Sequence, residues 1–176
     1  MFYRFTARKD DKKFISMVSF FENIVNFDQR GTYTKKNLES PFKFDFDLFY
    51  ICLILGLNYN LKEELSNFET GPKNIFYGFD YFPDAYKDVG NLINPLILAT
   101  IAEDNKIDTN DKQLVRNLIN ENVIPANLSK NLLNLLNQYS AGGYMKLIEE
   151  FNYVAPRGES CVINFLIKFN KLMSKE

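Results

Sequence analysis

The chain has 176 residues, 46% of them hydrophobic, enough for one domain whose folding buries roughly 70% of its unfolded surface. Lysine and arginine number 21 against 22 acids, so the formal net charge is -1 and the surface as a whole is no magnet for nucleic acid or membrane. There is no histidine and no tryptophan, which removes Ser-His-Asp and Cys-His catalysis, the histidine-based zinc ligand sets and the usual proton carrier at neutral pH.

Charge is unevenly spread along the chain. Residues 1–36 hold eight Lys/Arg against four Asp/Glu, a net +4, and the other 140 hold thirteen against eighteen, a net -5. The opening aromatics Phe2, Tyr3 and Phe5 suit a short strand or an extended arm over 1–10. From Asp11 the spacing of Phe14, Val18, Phe21, Ile24 and Val25 predicts a helix that ends before Asp28. A polar loop follows and closes at Ser40-Pro41. Residues 44–60, FDFDLFYICLILGLNYN, then predict a helix apolar on nearly every side, which belongs inside a core or between partners. Its end is expected at Gly56 and Asn58-Tyr59-Asn60.

Residues 61–88 carry Gly71-Pro72, Gly78 and Phe82-Pro83 and read as irregular, with one short helix near 61–67. This stretch is unusually aromatic. Phe68, Phe76, Tyr77, Phe79, Tyr81, Phe82 and Tyr86 are therefore candidate partner-binding residues, an apolar surface for another subunit to cover. Helices are expected at 89–104, at 110–123 after a cap in Asp108–Asn110, at 127–151, and at 161–173 behind Ser160 as N-cap. Gly142-Gly143 is expected to break or bend the third of these. The last carries Val162, Phe165, Leu166, Phe169 and Leu172. The fold class is mainly α: a single compact helical domain, 1–176, of about six helices with a short extended N-terminal arm and an irregular aromatic loop segment.

Each constellation that resembles chemistry has a plainer explanation. Asp84 with Asp104 and Lys106 imitates a metal-dependent nuclease, but the strands that would converge its carboxylates are missing from the pattern. Asp104, Asp108, Asn110 and Asp111 lack the glycine and glutamate positions of a calcium loop and read as a helix connection with caps. Cys161 stands at a helix start, where thiols can become reactive, yet it and Cys52 lie in apolar helical runs and read as buried free thiols. No metal, cofactor or catalytic residue is expected.

The basic residues of the first stretch, Arg4, Arg8, Lys9, Lys12, Lys13, Lys35 and Lys36, are the candidate nucleic-acid-binding set, in which cations would meet phosphates and the nearby rings would stack. The longest apolar run, Leu48 to Leu57, is half of what a membrane crossing needs, and no secretory leader opens the chain; a cytoplasmic protein without membrane contact is expected.

Three segments carry a family resemblance: Phe44-Asp45-Phe46-Asp47-Leu48-Phe49 leading to Leu55-Gly56-Leu57; Ile97-Leu98-Ala99-Thr100-Ile101-Ala102-Glu103-Asp104; and Asn137-Gln138-Tyr139-Ser140-Ala141-Gly142-Gly143-Tyr144-Met145-Lys146-Leu147-Ile148. In order and spacing they resemble small helical accessory proteins of bacterial DNA phosphorothioation (Dnd-type) defence islands, over residues 44–172. The aromatic stretch 68–86 and the phenylalanine-rich first third depart from that pattern. The resemblance implies a non-catalytic adaptor or accessory subunit of a prokaryotic anti-phage complex, working through contacts with other protein subunits. A DNA-binding module is the alternative, and self-association is compatible with either.

Overall fold

The protein is described by a computed structural model over residues 6–8, 14–24, 42, 45–68, 126–158 and 160–174. Those residues are mostly helical. Two three-residue strands, β1 (Thr6–Arg8) and β2 (Phe14–Ser16), pair antiparallel with Thr6 opposite Ser16 and Arg8 opposite Phe14. Helix α1 (Met17–Phe20) follows at once, then α2 (Asp45–Asn58), a single 3-10 turn (Leu65–Asn67), α3 (Ala126–Glu150) and α4 (Cys161–Ser174). The helices expected at 89–104 and 110–123 lie outside the described residues.

The strand at 14–16 corrects the helix expected from Asp11. Phe14-Ile15-Ser16 is spent on pairing with β1, and the helical stripe begins only at Met17. From there Met17, Phe20, Phe21 and Ile24 recur at i, i+3, i+4 and i+7 and are all buried. The turn continues past α1 through Phe21 N–H to the Met17 carbonyl (3.1 Å) and Ile24 N–H to the Phe21 carbonyl (2.9 Å).

α2 is as apolar in its surroundings as in its sequence. Leu48, Phe49, Ile51, Cys52, Leu53 and Leu55 are all buried, and positions that consecutive can share burial only if neighbours cover several sides of the helix. Its main neighbour is α3, and α4 touches it as well. Both long helices before α4 end on an asparagine in the left-handed region. Asn60 (φ 50°) closes α2 while Leu61 N–H reaches the Gly56 carbonyl (2.8 Å) and Asn60 N–H the Leu57 carbonyl (3.1 Å). Asn152 (φ 50°) does the same for α3, with Tyr153 N–H on the Ile148 carbonyl (2.7 Å) and Asn152 N–H on the Glu149 carbonyl (2.8 Å). These paired bonds satisfy helix-end carbonyls, and the short amide side chain lowers the cost of the left-handed turn.

α3 corrects a second expectation: it runs from Ala126 to Glu150 without interruption through Gly142 and Gly143. The glycines are there for close approach, each toward a different neighbour. A methyl group on Gly143 would strike the Cys52 carbonyl of α2 and lie 2.7 Å from the Gly56 amide nitrogen. One on Gly56 would in turn strike the Tyr139 carbonyl. At this crossing the spacing of α2 and α3 is set by backbone atoms, with no side chain between them. Gly142 lies about 100° further round the helix and faces the extended chain that leaves α2, where a methyl would strike the Leu61 carbonyl. That same chain donates Glu63 N–H to the Gln138 carbonyl (3.1 Å).

Around the crossing sits an aromatic core. Phe165 of α4, fully buried, meets Phe21 and Phe42 edge-on (centroids 5.7 and 5.4 Å) and stacks with Phe151 and Phe169 (5.9 and 6.1 Å). Phe20 presents an edge contact to Tyr144 (6.3 Å) and to Phe151 (5.6 Å). Each such pair adds about 0.5–1.5 kcal/mol beyond area burial. Together they tie the segment 14–24 to the C-terminal half of α3 and to α4. Two polar residues of α3, Asn137 and Ser140, are also buried; the Ser140 hydroxyl donates to the Phe49 carbonyl (3.1 Å), adding a hydrogen bond between α3 and α2.

α4 is moored at both ends and along its length. At its start Asn164 N–H bonds to the Ser160 carbonyl (2.9 Å), placing Ser160 where the sequence puts the cap, behind Gly158 in the left-handed region (φ 88°). Midway, Lys168 Nζ donates to the carbonyl of Glu150 (2.7 Å), the last residue of α3, and lies over the Phe151 ring (4.5 Å). Near its end the Leu172 carbonyl accepts the Tyr59 hydroxyl (2.6 Å).

Candidate functional site

The sequence-predicted site residues divide by where they fall. Phe76, Tyr77, Phe79, Tyr81, Phe82 and Tyr86 of the aromatic set, Arg4, Lys9, Lys12, Lys13, Lys35 and Lys36 of the basic set, and Asp84, Asp104, Lys106, Asp108, Asn110 and Asp111 lie outside the described residues. Arg8 is the last residue of β1, opposite Phe14, so it closes the paired part of the hairpin.

Phe68 is described, and it does not present itself to a partner. Only 3% of it is exposed, and it belongs to the hydrophobic core just after the 3-10 turn. The aromatic richness of the stretch suggests a surface for a partner, but at Phe68 the chain turns the ring inward to fill the core.

Cys161 is the buried free thiol expected from its apolar helical run. Its sulfur donates to the Asn23 carbonyl (3.2 Å), and burial shields it from reagents. Cys52 is enclosed in the α2–α3 interface, where burial pushes its thiol far above the ordinary value of 9.0. No disulfide joins the two. The Tyr144 hydroxyl is likewise pushed well above 10.0, first by burial and then by the Cys52 sulfur, whose thiolate would oppose a second negative charge. Among the described residues no three His, Cys, Asp or Glu side chains cluster in a way that could hold a metal ion. No helix among them is long and apolar enough to cross a membrane.

α4 also has an outward apolar face, which helical spacing alone does not single out. α4 buries Cys161, Val162, Phe165 and Leu172 and turns Ile163, Leu166 and Ile167 outward. Ile163 and Ile167 are 61% and 62% exposed, so more than half of each β-branched side chain is in water. Leu166 is exposed as well, although its neighbour Phe165 is fully buried. Val154, in the connection from α3, adds a further exposed apolar side chain at 63%. Along the helix these positions run with Ser160, Asn164, Asn170, Lys171 and Ser174, all exposed. The signal was present in the sequence: VINFLIKF offers apolar residues at 162, 163, 165, 166, 167 and 169, more than one face can bury. Comparison with protein-family models, with curated proteins and with solved structures finds no match to the chain.

Proposed function

We propose that the protein is a helical interaction module that works through contacts with other protein subunits and carries no chemistry of its own. The observation that carries this reading is the outward apolar stripe Ile163, Leu166 and Ile167 on α4, a helix whose opposite side is already committed to the aromatic core. A helix anchored on one side and apolar on the other presents i, i+3 and i+4 anchors of the kind an opposing groove or helix takes up. The setting proposed, an accessory subunit of a prokaryotic defence complex, rests on the resemblance of the segments 44–57, 97–104 and 137–148.

The test is co-purification from the native host with the wild-type chain and with an Ile163→Asp/Ile167→Asp variant. Both positions are exposed, so stability should change within roughly ±0.5 kcal/mol for each, while the partner proteins held by the wild type should be lost. A variant that keeps the same partners at the same yield overturns the docking role of α4.

A second reading, DNA binding by the basic first stretch, draws on the pairing of β1 with β2. With Arg8 opposite Phe14, the five residues between the strands, 9–13, include Lys9, Lys12 and Lys13. Binding of this kind weakens steeply with salt because it is driven by released counterions. Charge reversal by Lys12→Glu/Lys13→Glu should abolish retention of duplex DNA at low salt; unchanged retention rules this reading out.

A further inference from the structure

We draw no further inference here: the strongest candidate, the exposed apolar stripe of Ile163, Leu166 and Ile167 on the outer face of α4, already carries the docking reading, and nothing among the described residues shows which molecule covers it.

Discussion

Replacing Gly143 by alanine sets two effects of opposite sign against each other. Within a continuous helix, alanine is favoured over glycine by about 1 kcal/mol, so a Gly143 that merely weakened α3 would make the variant more stable. At this position the added methyl meets the Cys52 carbonyl and the Gly56 amide nitrogen, both backbone atoms of α2 that no rotamer change can move. Relief requires α2 and α3 to separate, which loosens the packing of Leu48, Phe49, Leu55 and Tyr139 around the crossing. Overpacking a well-filled core costs about 1–3 kcal/mol, and a rigid obstacle belongs at the upper end. The net expectation is a loss of about 2 kcal/mol, a fall in Tm of about 4–8 °C for a chain of this size. Thermal unfolding followed by circular dichroism measures it, with Asn134→Ala at an exposed position of α3 as control. The control should gain about 0.5 kcal/mol from helix propensity alone. If Gly143→Ala rises in Tm alongside the control, the glycine is a flexible joint and the close-contact account is refuted.

Two further outcomes follow from burial. Cys52 and Tyr144 are held neutral in the folded protein with pKa values raised above 9.0 and 10.0, the values they regain on unfolding. Their contribution is fully present below pH 9 and is lost as pH rises, because only the unfolded chain releases those protons; each group can take about 1.4 kcal/mol per pH unit once past its unfolded value. Urea unfolding between pH 8 and 11 should show this decline, and Tyr144→Phe should make it shallower above pH 10; an unaltered slope in that variant would falsify the assignment. Phe68→Ala should cost about 3–5 kcal/mol as a core deletion, whereas a ring waiting for a partner would leave the midpoint of the isolated protein unmoved.

The asparagine caps show how local some of this information is. Asn60 and Asn152 each follow a helical run and each takes the left-handed turn that ends it. For Asn60 this stop was legible in Asn58-Tyr59-Asn60. Likewise Ser160 occupies the cap position expected of it, because a cap depends on a few neighbouring backbone groups. The α4 face behaved differently. Its sequence contains two overlapping apolar stripes, and periodicity cannot say which one the core will choose. Phe165 settled that choice by filling the space between Phe21, Phe42 and Phe151, residues up to 144 positions away in the chain.

By itself, the sequence determined the helical class of the described residues, the largely buried character of α2, the ends of α2 and α4, and the lack of histidine chemistry, since all of these follow from composition or from interactions within a few residues. Tertiary structure alone decided the rest. It spent Phe14–Ser16 on a strand, turned Phe68 inward, set the Cys161 thiol on the Asn23 carbonyl and left Ile163 and Ile167 in water. It also gave Gly142 and Gly143 their meaning. A glycine pair in a sequence states only that the backbone is unencumbered; whether that freedom bends a helix or admits a neighbour depends on what the fold brings against it. Here α2 and the chain leaving it come against the two glycines, and α3 stays whole.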